Sequence, residues 1–229
     1  MQRSLLIVIA VLSVLLAPSP VAAGERPPNI LLIAVDDMGH DTPGSFGGWV
    51  EGLTPHIDRL AARGMKFSNA YNTSSRCAPS RGSIMTGRYQ DSYNTNPGSS
   101  DTTVRPGVLT IPEFLRERNY LSGLFGKDTH YRPLEKYAFD TVAPMAAMAV
   151  GRSPELYAKN VGAFIDRAVE QGRPFFVSAN THDPHRPFAG APGERKSMER
   201  RFNQEIRKID HKPDIVITPA VTECSDRGI

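Results

Sequence analysis

Only two cysteines, Cys77 and Cys224, and a single tryptophan occur in 229 residues. So few cysteines exclude a disulfide-dense scaffold. Charge of one sign is not in excess either: 27 Lys and Arg face 24 Asp and Glu, a formal +3. Such a balance gives no reason to expect nucleic acid as a partner, because its binders carry a basic domain or stripe. Long apolar runs are scarce. Beyond the first two dozen residues, none approaches the roughly 20 residues that cross a bilayer. No internal repeat is visible. What remains is ordinary globular usage, with 40% apolar and 22% charged residues, which rules out collagen-like and acidic disordered chains. Nineteen glycines and nineteen prolines announce many turns.

The N-terminus reads as an address. Arg3 is the only charged side chain in residues 1–23, and it precedes a thirteen-residue apolar run over 5–17. Pro18 and Pro20 break that run, and Val21-Ala22-Ala23 offers a small-residue cleavage site. This is the layout of a secretory signal peptide. The rival reading, a single-pass anchor, requires a longer span. The expected product is exported (periplasmic, extracellular or lysosome-like), has no membrane span after cleavage, and starts near Gly24. Removing 23 of 229 residues leaves 206, enough to bury a core without a covalent or metal staple.

Along the rest of the chain, apolar strands alternate with helical patterns. Residues 29–35 form a continuous apolar run after Pro27-Pro28, the mark of a strand buried on both faces. Residues 54–64 read as a helix, with Thr54 as cap, Pro55 at the first position, Gly64 as stop, and Ile57, Leu60 and Ala61 on one face. A strand is expected over 65–71, a short helix over 110–119 and a strand over 121–125. A longer helix opens at Ser153-Pro154-Glu155 and closes at Gly172, and a strand follows over 174–179. The alternation predicts an α/β fold with a mainly parallel sheet sandwiched by helices. Ligands in such sheets bind beyond the carboxyl ends of the strands.

Chemistry-bearing residues gather at those ends. Asp36 and Asp37 follow the first strand; as paired carboxylates they suit a hard divalent cation such as calcium or magnesium, or else a solvated turn. Lys127 and His130 follow the strand at 121–125. His182, Asp183, His185 and Arg186 follow the last. Residues 77–87 read Cys77-Ala78-Pro79-Ser80-Arg81-Gly82-Ser83-Ile84-Met85-Thr86-Gly87. Pro79 suits a first helical turn, which puts Cys77 at a helix N-terminus where backbone N–H groups favour an anion. Arg81 lies one turn later and can fork onto the same anion. Cys77 is thus a nucleophile candidate. It can equally be a buried free cysteine, or pair with Cys224 in an exported chain.

The pattern Cys-x-Pro-Ser-Arg-x-x-x-Met-Thr-Gly resembles the signature of the formylglycine-dependent sulfatases, within the alkaline-phosphatase-like superfamily. The resemblance runs in order along the chain. Residues from Pro28-Asn29-Ile30 to Asp36-Asp37-Met38-Gly39 resemble the family's first strand and metal-binding aspartates. The segment from Thr54-Pro55-His56 to Ala61 resembles the helix that follows, and Gly126-Lys127 resembles the active-site lysine turn. His182-Asp183-Pro184-His185-Arg186-Pro187 is most similar to a turn of heparan N-sulfatases (sulfamidases).

The resemblance implies hydrolysis of sulfate esters or N-sulfates of a glycan, with calcium as cofactor. It also implies that a formylglycine-generating enzyme converts Cys77 to an aldehyde, hydrated to a diol. One hydroxyl then attacks sulfur, and the second expels sulfate. The implied metal ligands are Asp36, Asp37 and the converted Cys77. Arg81 and Lys127 counter sulfuryl charge, His182 or Lys127 protonates the leaving group, and His130 takes the diol proton. His185 and Arg186 are the implied substrate-binding pair.

The sequence departs from the family pattern in two places. Lys127-Asp128-Thr129-His130 has one more residue than the usual Lys-to-His spacing. The family's second metal-ligand turn is matched only by Ser225-Asp226-Arg227-Gly228, with Arg in a ligand position. The expected organisation is a signal peptide over 1–23, the N-terminal part of a catalytic domain over 24–190 and an atypical tail over 191–229. Two alternatives stand beside an active sulfatase: an inactive remnant, and a related phosphoester or phosphonate hydrolase.

Overall fold

The computed structural model describes residues 27–48, 50–100 and 102–185. Expectations for the signal peptide, Arg186, Cys224, the Ser225 to Gly228 turn and the tail over 191–229 lie outside the described residues.

Four strands form one parallel sheet: β1 (Ile30–Ala34), β2 (Leu121–Phe125), β3 (Thr141–Ala143) and β4 (Phe175–Asn180). Their order is β1-β4-β2-β3, so the last strand lies between the first and the second. β4 pairs with β1 from Ile30 opposite Phe176 to Ala34 opposite Asn180, and with β2 from Leu121 opposite Phe175. Every residue of β2 and β4 is buried, whereas β1 and β3 lie at the edges and are only partly covered. Continuous apolar runs are what such two-faced burial requires.

Alternation along the central strands builds two cores. Leu124 and Phe176 face a cluster with Met85, Tyr93, Val104, Tyr131 and Tyr137. Leu121, Phe125, Phe175 and Val177 face the other side, with Tyr157, Phe164 and Ala168. That second face is covered by α5 (Pro154–Glu170), whose N-cap Ser153 accepts from the Leu156 amide. Gly123 sits beneath it; a Cβ there would lie 3.1 Å from the Phe164 ring. The first face is covered by α2 (Cys77–Thr86), α3 (Gln90–Tyr93) and α4 (Ile111–Arg116). α4 starts with a capping box: Thr110 and Glu113 satisfy each other's backbone amides.

The fold class, the first strand, the four expected helices and the strands over 121–125 and 174–179 are all present. β4 runs one residue further than expected, to Asn180, and β3 was not foreseen. The expected strand over 65–71 is absent: this stretch is irregular, with Met65 80%, Phe67 67% and Tyr71 89% exposed. Apolar spacing does not make a strand unless a ladder partner takes its backbone groups, and none of the described strands lies beside it. The helix α1 (Pro55–Arg63) forms as expected but buries no residue. No helix among the described residues is long and apolar enough to cross a membrane.

Candidate functional site

The sheet and α2 deliver the charged residues to one place. β1 ends at Ala34, and two residues later the chain carries Asp36 and Asp37, the latter left-handed at φ +58°. β2 is followed at once by Gly126 (φ +74°) and Lys127 (φ +52°). Two successive left-handed residues turn the chain back under the site. Gly126 is required there, because a Cβ would strike the Tyr157 hydroxyl and the Asn180 carbonyl. β4 ends at Asn180 and leads into His182, Asp183 and His185. α2 starts on Cys77, with Arg76 extended as its N-cap, and Arg81 follows one turn in.

The lower layer of the site is a buried charge network. Asp36 is 4% exposed, Lys127 2% and Arg81 5%. The Arg81 guanidinium meets Asp36 Oδ1 at 3.2 Å and also donates to Asn180 Oδ1. The Lys127 ammonium pairs with Asp36 Oδ2 and donates to His182 Nδ1 at 2.9 Å. Asn180 Oδ1 also accepts from the Tyr131 hydroxyl at 3.1 Å, and its Nδ2 donates to the Ser178 carbonyl at 3.1 Å. Asp183 is braced by Arg152 Nε at 2.8 Å. One carboxylate faces two cations in this network, so the network carries one positive charge in excess.

These partners set the protonation states. Burial alone would raise the pKa of Asp36, but the Lys127 hydrogen bond and the charges of Arg81 and Lys127 outweigh it, and Asp36 is held below the usual carboxylate range. Burial, then Lys127 and Arg152, push His182 down to about 4. Burial, then Lys127 and Arg81, push His130 down to about 4. Both imidazoles are therefore neutral at pH 7. His182 accepts at Nδ1 from an ammonium, so its proton sits on Nε2.

Above this layer lies an open cavity of about 610 Å³, lined by Asp37, Cys77, His130 and His185 together with Arg76, Arg132, Ser75, Ser100, Thr102 and Thr129. Cys77 is half-buried and forms no disulfide among the described residues. His185 Nε2 lies 3.6 Å from Asp37 Oδ2. Asp36, His182 and His185 also offer ligand atoms within 4.8 Å of one another.

The candidates thus fall into two groups. Asp37, Cys77, His130 and His185 share the cavity, while Asp36, Arg81, Lys127 and His182 form its buried support; Arg186 lies outside the described residues. Sequence reasoning passed over Asn180, Tyr131 and the Arg152–Asp183 brace. A polar residue at the carboxyl end of a buried strand was the available signal for Asn180. Nothing local marked Tyr131 or Arg152, whose roles depend on long-range packing.

A family model described as Sulfatase matches residues 28–212. The chain belongs to the sulfatase family. Human arylsulfatase A is 40% identical over 119 residues, which are 50% of this chain and 23% of that protein. Human N-sulphoglucosamine sulphohydrolase is 33% identical over 167 residues, 70% of this chain and 32% of that protein. The chain therefore matches only about a quarter to a third of the length of these two sulfatases. The crystal structure of Ps i-CgsB in complex with k-i-k-neocarrahexaose superposes with a TM-score of 0.68 at 23% identity, covering 89% of this chain and 53% of that one. At that identity the superposition establishes the fold alone: a parallel sheet flanked by helices, shared with other sulfatases.

Proposed function

We propose that this chain carries the nucleophile-bearing half of a hydrolase of sulfate esters or N-sulfates on a glycan. The observation that carries this reading is the cavity over Cys77. A nucleophile candidate at the start of a helix lies in the same cavity as two histidines, above a buried network with excess positive charge. A tetrahedral sulfuryl group, with one negative charge shared over three oxygens, suits such a floor.

Asp36 and Asp37 would hold the divalent cation. Both offer carboxylate oxygens, the hard donors that calcium takes, and they fit as two of its roughly six to eight ligands. Asp37 is exposed and able to turn toward an ion. Asp36 would share its carboxylate among the ion, Lys127 and Arg81. Calcium bound there would polarise a sulfate oxygen and favour an ionised nucleophile. Cys77, converted to formylglycine by its generating enzyme, would supply that nucleophile.

The remaining steps fall to this chain's own side chains. Arg81 and Lys127 hold sulfuryl oxygens and stabilise charge as it shifts onto the leaving group. His130, neutral at pH 7 and therefore with a free ring lone pair, is the base assigned to the diol proton. His182 carries its proton on Nε2 with Lys127 ammonium behind Nδ1, so Lys127 is the reservoir from which a leaving oxygen or nitrogen is protonated. His185 and Arg186 serve substrate binding.

The test is side-by-side turnover of an aryl sulfate, a glucosamine N-sulfate and an aryl phosphate by the parent chain and Cys77→Ala. Sulfate release by the parent and none by the variant, with the same circular dichroism, is the expected result. Equal rates in both, or a clear preference for phosphate, would overturn the proposal.

A further inference from the structure

We propose that Asn180 is a positioning residue: its side-chain amide holds the Arg81 guanidinium in the orientation that presents it to a sulfuryl group, without cancelling its charge. This rests on the sulfatase reading of the site, in which Arg81 meets sulfuryl oxygens.

Arg81 arrives from α2, but both partners of its guanidinium lie at the ends of strands. Asp36, two residues beyond β1, accepts from Nη2 at 3.2 Å, and Asn180, the last residue of β4, accepts from Nη1. Contacts on two different nitrogens fix both the plane and the rotation of a guanidinium. Arg81 Nε is buried and has no hydrogen-bond partner among the described residues. Asp36 and Asn180 therefore set the orientation between them. A buried donor left unmet costs stability, so stability alone does not account for this placement.

Asn180 is itself held on every side and is fully buried. Its Oδ1 accepts a second bond, from the Tyr131 hydroxyl at 3.1 Å. Its Nδ2 donates to the carbonyl and the Oγ of Ser178, each at 3.1 Å, and to the Phe125 carbonyl at 3.4 Å. Its main-chain carbonyl accepts from the Tyr157 hydroxyl. A guanidinium offers only donors and a carbonyl only acceptors, so a reversed amide would set donor against donor and acceptor against acceptor. The amide has one orientation. Tyr131 is fixed in turn by the edge-on rings of Tyr137 and Phe139, at centroid distances of 5.1 and 6.0 Å.

The choice of an amide has an electrostatic reason. An aspartate at this position would also bind Arg81. It would, however, add a second carboxylate to the two cations, remove the excess positive charge of the network and face the Ser178 and Phe125 carbonyls with a negative group. A neutral acceptor orients the cation and leaves its charge for an anion. His182 does the same for Lys127, whose ammonium donates to the neutral imidazole at 2.9 Å. The two cations share Asp36, and each has one neutral acceptor of its own.

The full chain, with its arginines carrying ¹³C and ¹⁵N, is compared as parent, Asn180→Ala and Tyr131→Phe. The Arg81 signals are assigned by their loss in Arg81→Lys. Three quantities are read: the rate at which Nη1 and Nη2 exchange by rotation about Nε–Cζ, the turnover of an aryl sulfate, and the urea midpoint. In Asn180→Ala the Arg81 exchange should be at least about tenfold faster, the scale of one lost hydrogen bond to a charged group. Its kcat should fall about a hundredfold, as misplacement of a reacting partner does. Arg152, braced by Asp183, should keep its parental signals. Tyr131→Phe removes one hydroxyl and keeps the packed ring; it should speed the exchange and lower kcat by about threefold each.

A purely structural role would lower the urea midpoint and leave the Arg81 exchange at its parental rate. That result, or parental kcat in spite of faster rotation, would overturn the assignment. Should Asn180→Ala not fold, Tyr131→Phe decides by the same exchange rate. If the parent hydrolyses no sulfate ester, the proposed function fails, and the exchange rates alone decide whether Asn180 holds Arg81.

Discussion

At the residue scale, the site depends on a carboxylate that has been taken out of water. Asp36 is tolerable at 4% exposure because Arg81 and Lys127 both reach it. Removing one partner of a buried pair leaves a charge without compensation. Lys127→Met should therefore destabilise the fold by about 3 kcal/mol, read as a drop in the urea midpoint; an unchanged midpoint would mean that the pair forms no part of the folded core. The histidines make a second prediction. His182 titrates near 4 in the fold and near 6.5 in an open chain. Between those values the unfolded chain binds the extra proton, so stability falls as the pH drops from about 6.5 towards 4 and levels off below. Unfolding measured at pH 7 and pH 4.5 should show a smaller loss in His182→Gln than in the parent, because glutamine can accept from Lys127 without titrating. Equal losses would contradict the assignment. The sequence alone gave the identity of these residues through their positions after strands. It gave no sign of which would be buried, since Asp36 and Asp37 are neighbours and only their opposite sides of the turn separate a buried carboxylate from an exposed one.

At the element scale, the turns matter as much as the strands. The step from β2 to Lys127 passes through two left-handed residues against Tyr157 and the end of β4. Gly126→Ala forces a Cβ into the Tyr157 hydroxyl and the Asn180 carbonyl. It should cost about 2 kcal/mol of stability and displace Lys127 from Asp36. The first effect is measured by denaturant unfolding and the second by an upward shift of the pH at which the His182 ring resonances titrate, because the Lys127 charge is one of the causes that hold it down. Full parental stability would show that the turn is looser than described. Regular elements were legible where a local rule was strong: the Ser153-Pro154-Glu155 start of α5 and the apolar runs of β1 and β4. The stretch over 65–71 misled because its apolar spacing is local, while the ladder a strand needs is not. β3 escaped notice because three residues carry too little pattern.

At the scale of the whole molecule, strand order decides function. β4 is last among the described strands yet sits between β1 and β2. That crossing brings Asp36, Lys127 and His182, spread over nearly 150 residues of sequence, into one network. Order of this kind follows from long-range pairing, so the sequence could indicate an α/β sheet with its site at the strand ends but could not place β4. The cysteine motif was different: its residues are contiguous, and family membership was legible from it directly. A cation bound by the folded state and not by the open chain raises the melting temperature by mass action. Millimolar calcium should raise the melting temperature of the parent by a few degrees, and this shift should vanish in Asp37→Asn, whose exposed side chain leaves the buried network intact. An equal shift in both proteins would remove Asp37 from the ligand set.

The account turns on Cys77 being the reacting group in its oxidised aldehyde form. The most direct measurement is the mass of the peptide spanning residues 77–87 from protein made in its own host. The predicted result is the aldehyde, with loss of the thiol sulfur and gain of a carbonyl oxygen. An unmodified thiol throughout, in protein that nonetheless releases sulfate, would contradict the account.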